Sequence, residues 1–264
     1  MESISYLRLG THSCLKMETS FPSLLLGAIA KPPSRIVGGR VARPDEFSFI
    51  VTLSHPNNFI HLCAGSIISP LHILTAGHCV KNEKRLVVHS GTHRIGATDD
   101  VVTNVQRIIL HPNYVWDNKL VSDDIAILLV KLNLGGKVGK IGLPTEQPDL
   151  SKFYFVAGWG MNDKNAITYQ FDLKVLDVKL ADETQCRMRK SYLKGPSELC
   201  GYNENGNTCS GDSGGPLVSG GRIAGIVSAG FCTIGVPTTY VNVYHYINWI
   251  KTVMAETSML KMSK

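Results

Sequence analysis

The sequence has no hydrophobic run long enough to cross a membrane. A membrane-spanning helix needs about 18 or more consecutive apolar residues, and the apolar stretch at Phe21–Ala30 is much shorter. The sequence also lacks a block of consecutive Lys and Arg, although its formal net charge is +6. Because the positive charge is not clustered, nothing indicates a basic face for nucleic acid. We therefore expect neither a membrane nor a nucleic-acid partner.

Metal and cofactor signatures are missing as well. No group of His, Cys, Asp and Glu has the spacing of a catalytic metal site, so we expect no cofactor. Charged residues make up only 18% of the chain and hydrophobic residues 44%, which is typical of a globular protein and excludes a disordered one. Helical periodicity is scarce, since it is visible only from about Val243 to Met254.

The chain instead contains short apolar runs separated by turn residues. Val, Ile, Phe and Tyr dominate these runs, and Gly, Pro and Asn lie between them, which is typical of β-strands. The predicted strands are Phe49–Leu53, Ser66–Ile68, Arg85–Val88, Asp124–Lys131, Phe153–Ala157 and Ile223–Ser228. Many strands and a single late helix predict an all-β barrel or sandwich.

Three short motifs carry an imidazole, a carboxylate and a hydroxyl in that order along the chain. They are Thr75–Cys79 (TAGHC), Asp123–Ala126 (DDIA) and Gly211–Pro216 (GDSGGP). A serine hydroxyl hardly ionises at neutral pH, so it needs an imidazole to take its proton and a carboxylate to orient that imidazole. The glycines around Ser213 allow a tight turn that brings backbone N–H groups close to a substrate.

Together these motifs resemble those of the chymotrypsin-like, or trypsin-family, serine proteases. Further stretches that resemble the family are Ile36–Gly39 (IVGG), Ala157–Gly160 (AGWG), Val227–Gly230 (VSAG) and Tyr244–Ile250. The resemblance implies an all-β fold of two antiparallel six-stranded β-barrels with a C-terminal helix, and an active site in the cleft between the barrels. It also implies a serine endopeptidase that cuts protein or peptide substrates.

The resemblance assigns a role to each reactive group. Ser213 is the expected nucleophile, and His78 the general base that later acts as general acid. Asp124 is expected to orient His78, and Asp123 is the alternative carboxylate. The family places its carboxylate directly before Ile-Ala, which favours Asp124. Ser228 is expected to hydrogen-bond that carboxylate.

Gly211 and Asp212 are expected to have separate roles. The N–H groups of Gly211 and Ser213 would form an oxyanion hole, where such donors lower the barrier by several kcal/mol. Cleavage after Arg35 would free the amine of Ile36, and the resulting ammonium would pair with the Asp212 carboxylate. Because this ion pair forms only after cleavage, the resemblance implies a zymogen and an activating protease that cuts after Arg35.

These assignments divide the chain into three parts. Residues 1–30 are interpreted as a leader with a signal peptide, 31–35 as the activation pro-segment and 36–264 as the protease domain. Within the domain, the first barrel is expected at about 36–142, the second at about 148–242 and the helix at about 243–256. Met17 is an alternative start of the protein.

The seven cysteines are few enough to leave only a limited number of pairings. Cys14 lies in the leader, and the other six allow fifteen connectivities. The resemblance selects the pairs Cys63–Cys79, Cys186–Cys200 and Cys209–Cys232. Disulfides form in oxidising compartments, so we expect a secreted, extracellular protein. We also expect it to act as a monomer.

The substrate pocket departs from that of basic-specific family members. Asn207 is neutral and lies where those members have an aspartate, while Gly230 leaves the entrance open and Thr238 narrows the floor. Cleavage is therefore expected after apolar or aromatic residues. Two further departures are Gly77, where most members have alanine, and Ala229, where many have a tryptophan beside the substrate. The second departure removes an apolar wall.

Two expectations from the resemblance complete this interpretation. Asp99 and Asp100 in the loop Ser90–Asp100 are too few oxygen ligands to predict the calcium that some members hold. A non-catalytic relative that acts as a binding or regulatory cofactor is the alternative function, but such relatives usually lose a triad residue. The expected partners are therefore protein or peptide substrates and the activating protease, with protein inhibitors as a further candidate class.

Overall fold

The computed structural model describes residues 36–117, 121–162, 165, 168–189, 193 and 195–262. The predictions on residues 1–35, which concern the signal peptide, Cys14 and Arg35, lie outside the described residues. The strands are β1 Arg40–Val41, β2 Ile50–His55, β3 Asn58–Ser69, β4 His72–Thr75, β5 Val87–Ser90, β6 Val101–Asn104, β7 Arg107–Leu110, β8 Val115–Trp116, β9 Val121–Ser122, β10 Ala126–Leu129, β11 Phe153–Gly158, β12 Lys174–Ala181, β13 Glu198–Tyr202, β14 Pro216–Ser219, β15 Arg222–Ala229 and β16 Thr238–Asn242. The helices are α1 Glu183–Met188 and α2 Ile247–Met262.

Six antiparallel strands of the C-terminal half close into a barrel. Their order is β12-β11-β14-β15-β16-β13, and β13 also pairs with β12, which completes the ring. The short strand β1 adds to the outside of this ring by pairing with β12. Buried and exposed residues alternate over residues 176–180 of β12, as expected for a barrel strand with one face in the core and one face in solvent.

The N-terminal half is a seven-stranded sheet with the order β6-β5-β2-β3-β4-β10-β7. Its two edge strands, β6 and β7, follow one another in the chain and are separated only by Val105 and Gln106. The Val105 N–H donates to Leu86 O at 3.0 Å and the Gln106 N–H to Leu129 O at 2.7 Å. The sheet therefore curls so that its two edges come together at this two-residue break, although the described strands β6 and β7 do not pair with each other.

The all-β class and the chymotrypsin-like fold expected from the sequence are confirmed. The C-terminal half is a closed six-stranded barrel as expected, whereas the N-terminal half is a half-barrel of seven strands and not a second six-stranded barrel. The C-terminal helix begins four residues later and ends six residues later than expected. Residues 243–246 form turns instead, and the Val243 N–H donates to Ala224 O at 3.1 Å. The helix packs through Ile250 and Val253, which are buried. At its far end Thr257 Oγ1 lies 2.7 Å from His72 Nε2 of strand β4.

The short helix α1 was not predicted. It begins with a capping box, in which the Asp182 side chain accepts from the Gln185 N–H and the Gln185 side chain accepts from the Asp182 N–H. Within the described part of the chain, neither α1 nor α2 is long and apolar enough to span a membrane.

Three disulfides cross-link these elements and the loops beside them. They join Cys63 to Cys79, Cys186 to Cys200 and Cys209 to Cys232, the pairs that the resemblance implied. Each disulfide of this kind typically stabilises a fold by about 2–4 kcal/mol. The first and the third flank the residues predicted to be reactive.

Candidate active site

His78 and Asp124 are joined by two hydrogen bonds. The His78 backbone N–H donates to Asp124 Oδ1 at 2.7 Å, and His78 Nδ1 lies 2.8 Å from Asp124 Oδ2. Ser228 Oγ donates to the same Oδ2 at 2.6 Å. Since a carboxylate only accepts, His78 Nδ1 carries its proton and Nε2 is left to accept one. The Asp124 side chain is 3% exposed, so three donors satisfy a buried charge.

Asp123, the alternative carboxylate, contacts different partners. Its Oδ1 accepts from the Tyr246 hydroxyl at 3.1 Å and lies 3.4 Å from His111 Nδ1. The His111 ring packs edge-on against Tyr246 and Trp249. The geometry therefore separates the two neighbours: Asp124 contacts His78, and Asp123 contacts helix α2 and the turn before it.

Ser228 reaches Asp124 because strand β15 is irregular at that point. The register between β15 and β16 shifts between Val227 and Ala229, so Ser228 lies in a bulge. A bulge re-aims a side chain and is common next to active sites. The bulge lets the C-terminal half contribute a donor to a carboxylate of the N-terminal half.

Ser213 is placed by its backbone and by its neighbours. The Ala64 N–H donates to Ser213 O at 2.8 Å, and Ala64 follows Cys63, whose disulfide partner Cys79 follows His78. The loop of Ser213 is thereby connected to the segment of His78. No hydrogen bond of Ser213 Oγ is found among the described residues, and catalytic hydrogen bonds are often long in unliganded enzymes.

The glycines of the serine loop are required by close contacts. Gly214 has φ +76°, and a Cβ there would lie 2.3 Å from Ala64 O. Gly211 has φ +99°, a backbone conformation that L side chains rarely adopt. In the described part of the chain, the N–H groups of Gly211 and Ser213 donate to no protein acceptor. Both are therefore available to a substrate oxygen.

His61 also contacts this loop, although no motif separates it from the other histidines of the sequence. Its Nε2 lies 2.7 Å from Gly211 O, and its Nδ1 contacts Thr52 Oγ1. Burial lowers the pKa of His61 to about 4, and the bond to Gly211 opposes that shift only in part. The imidazole is therefore neutral at pH 7, and as a donor it holds the Gly211 carbonyl in place.

Asp212 lies in a pocket formed by backbone. Its Oδ1 accepts from the Gly160 N–H at 2.8 Å and its Oδ2 from the Cys209 N–H at 2.9 Å. A Cβ on Gly158 would lie 2.1 Å from Asp212 Oδ1, so both glycines of the AGWG stretch leave room for this carboxylate. Burial raises the pKa of Asp212 to about 6, while the two N–H donors oppose the rise.

Ile36 is fully buried in the C-terminal half. It packs in a cluster of buried side chains: Tyr154, Val156, Leu176, Val178, Leu180, Leu217, Ala224, Val227 and Tyr240. Its neighbour Val37 accepts from the Asn207 N–H at 2.9 Å. Gly38 has φ +84°, and a Cβ there would lie 1.8 Å from Asn205 O. The stretch Ile36–Gly39 is thus held against the barrel that carries Ser213 and Asp212.

Three buried polar side chains fill the base of the predicted substrate pocket. Asn207 Nδ2 donates to the carbonyls of Thr233 and Val236, and Asn207 Oδ1 accepts from Thr238 Oγ1 at 2.8 Å. Thr238 Oγ1 also lies 2.7 Å from the hydroxyl of Thr208, a residue that sequence reasoning missed.

Gly230, which is expected at the pocket entrance, borders the same cluster. A Cβ on Gly230 would lie 2.2 Å from Thr208 Oγ1, so Gly230 is packed directly against this threonine. Asn207, Thr208 and Thr238 are all buried. These three side chains carry no charge, and their polar atoms bond to one another and to the carbonyls of Thr233 and Val236.

The two departures from the family pattern have physical counterparts. A Cβ on Gly77 would lie 2.8 Å from the Tyr114 ring, so this ring takes the room that an alanine would need. Ala229 has no large apolar side chain to offer a substrate. Trp116 is 44% exposed, and its ring centroid lies 5.1 Å from that of the His78 ring. Trp116 is thus an apolar surface beside the reactive histidine that sequence reasoning did not single out.

The described residues near the site do not form a metal centre. Sulfur atoms of Cys63 and Cys79 lie close to a His78 ring nitrogen, but both sulfurs belong to a disulfide and offer no thiolate. Of the two loop carboxylates, Asp99 pairs with Lys137 and Asp100 with His89.

Comparisons with known proteins agree with this geometry. The family model described as Trypsin matches residues 36–250. "Serine protease 1" of Homo sapiens is 32% identical over 249 residues, which cover 90% of this chain and 97% of that protein. "Trypsin-3" of Homo sapiens is 33% identical over 246 residues, covering 88% of this chain and 78% of that protein.

A solved structure gives the same result in three dimensions. The structure described as neuropsin, a serine protease expressed in the limbic system of mouse brain, superposes with a TM-score of 0.74 at 26% identity and covers 82% of this chain and 98% of that one. Because the family model and these relatives match along most of its length, the chain belongs to the trypsin family and is a serine endopeptidase.

Proposed function

We propose that this serine endopeptidase is secreted as a zymogen and cuts protein substrates after small or medium-sized apolar residues, with aromatic residues less favoured. The observation that carries the proposal is the His78–Asp124–Ser228 network beside the glycine loop of Ser213. Three disulfides support an oxidising compartment. Its partners are protein or peptide substrates, a protease that cuts after Arg35, and protein inhibitors that occupy the same cleft.

In the proposed reaction, Ser213 Oγ attacks the carbonyl carbon of the scissile bond while its proton passes to His78 Nε2. Asp124 holds the proton on His78 Nδ1, so the ring presents the correct nitrogen. The N–H groups of Gly211 and Ser213 donate to the oxyanion. His78 then protonates the leaving amine, and a water molecule repeats the sequence to release the acyl group.

Activation is proposed to act through Asp212. Its carboxylate is buried with two N–H donors and a raised pKa, so a cation beside it would be strongly favoured. Cleavage after Arg35 would create an ammonium on Ile36, which is already seated in the same half. The ion pair would then hold the loop of Gly211 and Ser213 in the competent geometry.

The first prediction concerns the nucleophile. A fluorophosphonate probe should label the intact chain weakly, and cleavage after Arg35 should raise the labelling rate by about a hundredfold or more, since an ordered oxyanion hole has at least that effect. The Ser213→Ala variant, cleaved in the same way, should show no adduct at position 213. Absence of labelling in a folded protein with a confirmed Ile36 N-terminus would instead favour the non-catalytic binding function.

The second prediction concerns the pH dependence of stability. A buried acid with a raised pKa binds more protons in the folded state, so the stability of the intact chain should fall as pH rises from about 4 to about 6. After cleavage the ammonium of Ile36 should stabilise the carboxylate and remove this contribution. Melting temperatures of intact and cleaved Ser213→Ala protein, measured from pH 4 to 7, test it. Identical pH profiles would contradict the proposed switch.

The third prediction concerns specificity. Because Asn207, Thr208 and Thr238 fill the pocket base, kcat/KM should be higher for Ala, Val and Leu substrates than for Phe, and lowest for Arg. Thr238→Gly should raise kcat/KM for Phe relative to Ala by about tenfold, the order of discrimination that one or two methyl-sized groups provide. Thr239→Gly, one residue along the same strand, is the matched control. A dominant Arg preference in the unsubstituted enzyme would refute the assignment.

A further inference from the structure

A second Ser–His–Asp array lies in the N-terminal half and uses none of the residues discussed above as reactive. Ser54 near the end of β2 has its Oγ 2.8 Å from Nε2 of His89 in β5. His89 Nδ1 lies 2.6 Å from Oδ2 of Asp100, which directly precedes β6. The side chain of His89 is 5% exposed and that of Asp100 14%. A hydroxyl, an imidazole and a carboxylate are thus in line at hydrogen-bond distances.

The carboxylate fixes the direction of the protons in this array. Because an ionised Asp100 only accepts, His89 Nδ1 must carry a proton, and in the neutral ring Nε2 is then an acceptor. Ser54 Oγ–H therefore donates to His89 Nε2. This is the arrangement that activates a hydroxyl, with a base on the nucleophile and an orienting group on the base.

Two other histidines of the described chain also contact hydroxyls, but their ring nitrogens face other partners. Ser69 Oγ lies 2.6 Å from His72 Nδ1, and the other ring nitrogen of His72 faces the Thr257 hydroxyl. His61 contacts Thr52, and its other nitrogen faces the Gly211 carbonyl. Hydroxyl–imidazole contacts therefore recur in this protein, whereas His89 also has the Asp100 carboxylate on its other ring nitrogen.

The array borders a cavity. A cavity of about 380 Å³ is lined by Ser54, His89 and Asp100 and also by the apolar side chains of Phe59, Ile95 and Val102. Small-molecule sites typically have volumes of this order, with mostly apolar walls and a few polar groups. If the Ser54–His89–Asp100 hydrogen bonds served only to hold the loop before β6 in place, no cavity beside the Ser54 hydroxyl would be required.

We propose that Ser54 is a second nucleophile, which small, apolar activated esters acylate after entering this cavity. The Ser54 Oγ proton passes to His89 Nε2 while Oγ bonds to the carbonyl carbon of the ester. The carbon–oxygen bond to the leaving group then breaks, and the leaving oxygen takes the proton from His89. The products are an acyl ester on Ser54 and a free alcohol or phenol.

The test uses the full chain carrying Ser213→Ala, so that the site of the proposed peptidase cannot react. The protein is treated with p-nitrophenyl butyrate, and adducts are assigned to residues by peptide mass spectrometry. We expect butyrylation of Ser54 at least about a hundredfold faster than of Ser69, the contribution that a positioned base typically makes. Ser69 is the internal control because it also bonds to a histidine and is more exposed.

Asp100→Asn in the same background tests the role of the carboxylate. This nearly isosteric change should slow butyrylation of Ser54 by about a hundredfold and leave that of Ser69 unchanged. The melting temperature shows whether the Asp100→Asn variant folds. If it does not fold, the ratio of the butyrylation rates of Ser54 and Ser69 in the Ser213→Ala protein still tests the proposal. Equal rates at the two serines, no adduct on Ser54, or labelling that Asp100→Asn leaves unchanged in a folded variant would overturn the proposal.

Discussion

The buried carboxylate of Asp124 accepts hydrogen bonds from both halves of the protein. An ionised carboxylate with so little exposure is tolerated only if donors surround it. His78 supplies two of them from the N-terminal half, and Ser228 supplies the third from the C-terminal half. Satisfying this one charge therefore fixes the orientation of the imidazole and the relative placement of the two loops.

The loop of Ser213 depends on a second buried carboxylate. Asp212 occupies space that exists only because Gly158 and Gly160 carry no side chains, and backbone donors hold it from two directions. His61 fixes the adjacent Gly211 carbonyl from the other half. The geometry of the N–H groups at Gly211 and Ser213 is thus set by neighbours that do not take part in the chemistry. This is the preorganisation on which oxyanion stabilisation depends.

Local signals in the sequence were sufficient for several features and insufficient for others. The three motifs indicated a hydroxyl, an imidazole and a carboxylate on chemical grounds, and the family resemblance assigned these roles to Ser213, His78 and Asp124. Short apolar runs predicted strands such as β11 and β15, but they missed the two-residue strands β1 and β8 and also the eight-residue strand β12. The capping box at Asp182 and Gln185 was present in the sequence and could have revealed α1.

Long-range packing was beyond the reach of the sequence. Thr208 and Trp116 carry no motif, and their positions in the pocket and beside His78 follow from how distant loops fold together. The bulge at Ser228 depends on the register of two strands. Likewise, Ser54, His89 and Asp100 lie on separate segments, and only the curled sheet brings them into line. Such contacts are set by tertiary structure, which short-range patterns do not encode.

The most direct measurement is kcat/KM of Arg35-cleaved protein carrying Asp124→Asn, compared with Asp123→Asn. An amide at position 124 would favour the wrong imidazole tautomer, so activity should fall by about ten-thousandfold, as such a change does in this kind of triad. Asn at position 123 keeps an acceptor for Tyr246 and should leave activity close to that of the unsubstituted enzyme. Similar losses in both variants, or a small loss at position 124, would contradict the central role of Asp124.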